Sequence, residues 1–263
     1  MQYSATLKFL WPELELPDRA RKAAEHGFDT VDLWDWRGED IDGLHEVCQA
    51  EGLRLGGFFG HTHGGLCDPS QRGELLEALA ESVEVAQRVG ATQLHMFSND
   101  IQPGSIIRKP PDIPWWEQFR SCIEGIEAGL ELVEGTDVIL GLEAINTVFV
   151  PGYFWEEVGV TLELCRIIDH PQVRLTFDCF HQQLVGGRLT DNLVPALPYT
   201  ARVDVADVPG RGAPGTGEIN FSHVKRVLDE HGYDGQITFE AVPADGDTEA
   251  AVAACKAIWP FGA

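Results

Sequence analysis

Four apolar runs in the second half of the chain each end on an acidic residue, and this pattern constrains the fold more than any other feature. Val138-Ile139-Leu140-Gly141-Leu142 ends at Glu143, and Val173-Arg174-Leu175-Thr176-Phe177 ends at Asp178. Ala201-Arg202-Val203 ends at Asp204, and Gln236-Ile237-Thr238-Phe239 ends at Glu240. The runs are short, rich in β-branched residues and followed by loop and helix-like sequence, as parallel strands with crossover helices are. Carboxyl ends of parallel barrel strands converge on one face, so the four carboxylates are expected in one pocket. Left alone they would repel one another and keep at least one proton; a divalent cation resolves the conflict.

The first half supplies four more strand-like segments, over residues 3–7, 30–33, 53–58 and 93–97. Helical periodicity is clearest over Arg72–Val89, where Leu75, Leu76, Leu79, Val83 and Ala86 share one face, and over 118–133. Segments 162–168, 221–231 and Thr248–Ile258 supply further outer helices, and Pro17-Asp18 opens another that Gly27 stops. Eight βα units in 263 residues average about 33 each, a usual size for a (β/α)₈ TIM barrel. No composition break or Gly/Ser linker divides the chain, so residues 1–263 are expected to form one α/β domain. Two long loops, over 60–68 and 98–116, follow strands three and four and belong on the catalytic face.

Lys and Arg number 19 against 42 Asp and Glu, a formal charge of −23. Such a field repels nucleic acid and anionic membranes, so neither is an expected partner. No apolar run approaches the roughly 18 residues needed to cross a bilayer, and Met1-Gln2-Tyr3-Ser4-Ala5 lacks a basic-then-apolar leader. The six cysteines form no CxxC pair, which suits reduced, buried thiols and a cytoplasmic location. A homo-oligomer is compatible with the sequence, which does not specify one.

A hard cation takes oxygen ligands, so Glu143, Asp178, Asp204 and Glu240 predict one divalent ion, Mg²⁺ or Mn²⁺. With no cysteine at a strand end, a structural zinc is disfavoured. One carboxylate in such a set can also carry a proton, because neighbouring negative charge raises its proton affinity. His61 and His63 form an HxH pair that fits a substrate contact, with a surface role or metal chelation as alternatives. His95 points into the barrel as a hydrogen-bonded core residue. Trp34, Trp36, Trp115 and Trp116 fall on catalytic-face loops, where they either wall a pocket or pack.

Several segments carry a resemblance. Gly141-Leu142-Glu143-Ala144-Ile145-Asn146 with Pro151-Gly152 resembles the strand-five signature of hydroxypyruvate isomerases in the xylose isomerase-like barrel superfamily. Phe177-Asp178-Cys179-Phe180-His181 resembles their strand-six motif, and the loop from Ala206-Asp207-Val208-Pro209-Gly210-Arg211-Gly212 to Gly217-Glu218-Ile219-Asn220 their strand-seven loop. Tyr233-Asp234-Gly235 before Phe239-Glu240 is similar to their strand eight. The likeness covers most of 143–240. It implies that Glu143, Asp178 and Glu240 bind one metal, that Glu143 and Glu240 flank the reacting carbons as proton carriers, and that His181 and Arg211 hold substrate oxygens. Gly210, Gly212, Gly215 and Gly217 are expected to let the strand-seven loop turn towards the ligand.

The departures are specific. Asp204 stands where the family usually has Gln or His, and is expected to make the site more negative. Arg202 stands where His is frequent. Phe149 replaces an acidic residue that in ketose 3-epimerases helps hold the sugar end. Strand three, Gly56-Gly57-Phe58-Phe59, lacks the usual terminal histidine unless His61 or His63 replaces it. The expected activity is therefore aldose–ketose isomerisation of a small 2-hydroxy carbonyl compound through an enediolate, such as hydroxypyruvate to tartronate semialdehyde. A ketose 3-epimerase is the near alternative. An endonuclease IV-like nuclease is the distant one; it would need more histidine ligands and is opposed by the charge. Hydride shift in the larger sugar isomerases uses a second metal and a lysine, and no such set stands near these strand ends.

Overall fold

The computed structural model describes residues 1–262; the expected domain end at 263 lies outside the described residues. Nine parallel strand segments form the main sheet: β1 (Gln2–Thr6), β2 (Thr30–Asp32), β3 (Arg54–Leu55), β4 (Gly57–Phe59), β5 (Gln93–Met96), β8 (Ile139–Glu143), β9 (Val173–Asp178), β10 (Thr200–Val205) and β11 (Gln236–Phe239). Their order is β3-β2-β1-β11-β10-β9-β8-β5-β4. β3 and β4 are halves of one strand, broken at Gly56. The Gly56 N–H donates to Val31 O at 2.8 Å, and its carbonyl accepts from Gln93 N–H at 2.9 Å. One residue thus links both ends of the row, and the eight expected strands close into a TIM barrel.

The helices are α1 (Leu16–Glu25), α2 (Ile41–Glu51), α3 (Arg72–Val89), α4 (Trp115–Val133), α5 (Val158–Ile168), α6 (Cys179–Val185), α7 (Leu189–Ala196), α8 (Phe221–Glu230) and α9 (Thr248–Ile258). α2, not expected from periodicity, is set by its ends. Asp40 accepts from Gly43 N–H at 3.0 Å, and Gly52 closes the helix in the left-handed region. The long loop after β5 contains a small antiparallel hairpin, β6 (Ile101–Gln102) with β7 (Ile106–Ile107). Among the described residues no helix is long and apolar enough to cross a membrane, and all six cysteines are buried and unpaired.

Strand alternation decides where the site lies. In Arg202-Val203-Asp204-Val205 all four side chains are buried. Val203 and Val205 join the apolar layer, whereas Arg202 and Asp204 turn into the barrel and meet Asp32, His95 and Glu240. Ser4, Thr6, Thr176, Gln236 and Thr238 are buried polar residues on the same strands. The barrel is therefore apolar outside its strands and largely polar within, a period-two pattern that a short apolar run conceals.

Close backbone approach fixes the strand break. A Cβ at Gly57 would lie 2.2 Å from Gln93 O, whereas one at Gly73 in α3 would meet nothing within 4 Å. Gly57→Ala is expected to lower stability by about 1–3 kcal/mol. Gly73→Ala should leave it unchanged or raise it by up to about 1 kcal/mol. Urea unfolding of the two variants tests this, and equal midpoints would rule out the close-approach account.

Candidate active site

The four strand-end acids meet at one end of the barrel. Asp204 on β10 pairs in register with Asp178 on β9, Glu143 ends β8, and Glu240 directly follows β11. All four are buried, with Asp204 only 1% exposed. Asp178, Asp204 and Glu240 offer ligand atoms within 4.8 Å of one another, and so do Glu143, Asp178 and His181. Asp178 divides its two oxygens. Oδ1 caps α6 by accepting from Phe180 N–H (2.7 Å) and His181 N–H (3.0 Å), which leaves Oδ2 to the pocket.

Two arginines, Arg202 buried and Arg211 partly so, share this acidic space. Arg211 Nη2 lies 3.1 Å from Asp178 Oδ2 and 3.0 Å from Glu240 Oε2, bridging two of the carboxylates. Its Nη1 meets His181 Nε2 at 3.0 Å. Arg202 donates to Asp204 Oδ1 through Nε and to Asp32 Oδ1 (3.1 Å) through Nη1. The extra negative charge expected of Asp204 is thus offset by the arginine two residues before it. Asp204 Oδ2 remains, fully buried and without a hydrogen-bond partner. A buried carboxylate oxygen is costly when unpaired, and Asp204 belongs to the cluster with Asp178 and Glu240. The donor set fits a hard cation.

These surroundings separate the proton affinities of the two glutamates. Burial, reinforced by the charges of Glu240 and Asp178, pushes the Glu143 carboxyl up to about 8. Burial acts upward on Glu240 as well, but Arg211, Arg202 and the Trp34 indole together hold it down at about 2. The Trp34 contact is a 2.5 Å hydrogen bond from Nε1 to Glu240 Oε1. Burial raises Asp178 to about 6 against the pull of Arg211. Both glutamates line one small cavity with Thr6, Asp32, Trp34, Phe59, His95 and Arg202. It has room for little more than a water molecule or an ion.

The remaining residues expected in the site divide. His181 lies inside it, 3.5 Å from Asp178 Oδ2 and 3.8 Å from Glu143 Oε1, with Nδ1 against the Asn146 amide at 2.5 Å. His61 is buried in the strand-three loop, where Nε2 accepts from Phe97 N–H at 3.0 Å. His63 lines an open surface cleft with Glu74, Glu77, Glu81 and Arg108. Their placement gives no support to a substrate contact by either histidine. Trp34 does wall the cavity, stacking on Phe59 at 5.7 Å. Trp36 turns away to Ser82 Oγ (3.1 Å), and Trp115 and Trp116 are exposed at the start of α4.

Asp32, Arg202 and Asp207 complete the site and were not expected there. Asp32 carried the same signal as the others, an acidic residue ending the strand Thr30–Asp32. Asp207 carried none. Its carboxylate accepts from four backbone N–H groups, those of Val208, Gly215, Gly217 and Ile219, at 2.9–3.0 Å. That cage shapes the strand-seven loop. Gly217 is there because a Cβ would lie 2.0 Å from Val208 O. The left-handed residue nearest the tip is Arg211 itself (φ 57°), rather than Gly210 or Gly212.

The comparisons agree with this geometry. A family model described as xylose isomerase-like TIM barrel matches residues 20–258. The chain is 30% identical to a putative hydroxypyruvate isomerase of Homo sapiens, over 98% of this chain and 95% of that protein. It is 25% identical to the hydroxypyruvate isomerase of Escherichia coli K12, over 92% and 94%. Among solved structures, an AP endonuclease of family 2 from Brucella melitensis superposes with a TM-score of 0.85 at 23% identity, covering 96% of each chain; at that identity the likeness shows the fold alone. Acidic strand ends on a closed barrel, a family model over most of the chain and full-length isomerase relatives have one reading: the protein belongs to the xylose isomerase-like TIM barrel family, in its hydroxypyruvate isomerase group.

Proposed function

We propose that the protein is a metal-dependent isomerase of small 2-hydroxy carbonyl compounds, of the hydroxypyruvate isomerase type, with 1–263 acting as one domain. One observation carries the mechanism: Glu143 and Glu240 line the same small cavity with proton affinities pushed in opposite directions. A pair separated in this way provides one group to take a proton and one to give it. The substrate class follows from the named activity of the relatives. Phe149, half-exposed and packed 5.5 Å from Phe180, offers no acceptor to a longer sugar, which favours the isomerase over a ketose 3-epimerase.

Glu143, Asp178, Asp204 and Glu240 are the residues that would hold one Mg²⁺ or Mn²⁺. Five buried carboxyl groups, these four and Asp32, lie beside the two guanidiniums of Arg202 and Arg211, so acidic groups outnumber basic ones in the site, as a cation requires. When bound, such an ion would polarise the substrate carbonyl and acidify the neighbouring C–H bond. Arg211 and His181 orient substrate oxygens, the arginine through its planar fork. One glutamate removes the carbon-bound proton, the other returns a proton to the adjacent carbon, and the hydroxyl proton passes to the former carbonyl oxygen, which balances the exchange of carbonyl and hydroxyl. Trp34 keeps the Glu240 carboxylate in place while this happens.

Three outcomes are expected. In crystals soaked with Mn²⁺, anomalous scattering should give a single peak within about 2.0–2.5 Å of oxygens of the four acids; a peak at His61 and His63 would contradict the assignment. Glu143→Gln and Glu240→Gln should each lower kcat by about two to four orders of magnitude, with metal occupancy measured alongside. Turnover in D₂O should place deuterium at the carbon that gains hydrogen, and complete retention of substrate hydrogen would point to hydride shift instead. The pH dependence of stability gives a further check. Glu143 in the folded, chelator-treated protein keeps its proton up to about pH 8, whereas the unfolded chain releases it near 4.5. The resulting stability is full at low pH and is lost as pH rises from about 4.5 towards about 8. Thermal melts should show that decline, and Mn²⁺ should stabilise more as pH rises; parallel curves with and without Mn²⁺ would refute the assignment.

A further inference from the structure

His95 on β5 is 5% exposed and lies between Arg202 and Glu143. Its Nε2 is 2.9 Å from Arg202 Nη1. A guanidinium has hydrogens to donate and no lone pair to offer, so the ring nitrogen facing it must be the acceptor. Nε2 therefore carries no hydrogen, and the single ring proton is on Nδ1. That second nitrogen is buried, has no hydrogen-bond partner, and points at Glu143 Oε2 from 3.4 Å. The distance is longer than a formed hydrogen bond, as contacts to a catalytic group often are before substrate binds.

Arg202 is itself held. The same Nη1 that meets His95 donates to Asp32 Oδ1 at 3.1 Å, and Asp32 Oδ2 accepts from Gln236 Nε2 at 2.8 Å and from Ser4 Oγ. Nε is engaged by Asp204. The guanidinium thus has one placement, and with it the side of the imidazole that must accept. We propose that His95 is a positioning residue for Glu143: Arg202 fixes its tautomer, and its Nδ1–H holds the Glu143 carboxylate in the orientation needed to exchange a proton with substrate. Hydrogen-bond partners that orient a metal-ligating side chain typically matter by about 10–100-fold in metal affinity or activity. This role rests on the reading of Glu143 as a proton carrier. The tautomer itself does not depend on that reading.

Two measurements test it. The first needs no activity: two-dimensional NMR of the ¹⁵N-histidine-labelled protein, with the His95 signal assigned by its loss in His95→Asn. A protonated Nδ1 and a bare Nε2 are expected; the opposite tautomer, or a mixture of both, overturns the proposal. The second uses side chains that mimic one ring nitrogen at a time. Asn places its amide near Nδ1, and Gln reaches the position of Nε2. His95→Leu and His95→Gln should lower kcat by about 10–100-fold, with KM and Mn²⁺ affinity within about threefold of the parent, while His95→Asn recovers most of the loss. A role in packing alone would make Asn and Gln equally damaging, with the loss following thermal stability, and that result also overturns it. If the parent protein turns over none of a panel of small hydroxy-carbonyl compounds, the proposed function fails, and the NMR result still decides the tautomer.

Discussion

The site depends on a buried guanidinium inside the barrel. Arg202 reaches from β10 to Asp32 on β2 and His95 on β5, and also engages Asp204 on its own strand. Five carboxylates could not share a dry interior without such a counter-charge, because each would lose its hydration and repel the others. Loss of one partner from a fully buried pair costs about 3–5 kcal/mol, since the charge left behind is uncompensated. Arg202 pairs with Asp32 and with one oxygen of Asp204, and leaves the other Asp204 oxygen free. It also helps lower the proton affinity of Glu240, while the more distant Glu143 keeps its proton.

Arg211 provides the second positive charge by a different route. It comes from a loop, so its placement depends on backbone hydrogen bonds rather than on strand register. The Asp207 carboxylate gathers four N–H groups, and the Asp207–Gly212 bridge closes the turn that carries the guanidinium towards Asp178 and Glu240. Arg211 also lies over the Phe180 ring, 5.0 Å from its centroid. A guanidinium held by two carboxylates, a histidine and an aromatic face has little freedom left, which suits a group that must meet a substrate oxygen in one geometry.

The barrel architecture and the four strand-end acids were legible in the sequence because both depend on local pattern. Short β-branched runs, each followed by helix-forming sequence, specify parallel strands, and residues at the same end of such strands must converge. The hairpin Ile101–Ile107, the start of α4 at Trp115 and the whole of α2 were not legible. They are set by the turn at Gly104 and Ser105, by Pro114 and by the Asp40 cap, where apolar periodicity is silent. Glycine content in the strand-seven loop suggested free turning at four positions, yet the carboxylate of Asp207 organises the loop and only Gly215 of the four has a positive φ.

The sequence by itself determined which side chains stand at the carboxyl ends of the strands, and so that Glu143, Asp178, Asp204 and Glu240 would share a pocket. Only the tertiary structure decided which charges cancel. Arg202 and Asp32 are 170 positions apart and become neighbours only when β2 and β10 face each other across the barrel. The same closure turned His95 from a core residue into a link between Arg202 and Glu143, and sent His61 and His63 to different surroundings although they are two residues apart. Strand register is a local property that alternation writes into the chain. Electrostatic pairing inside a closed barrel is not, because it depends on which side chains meet across the interior.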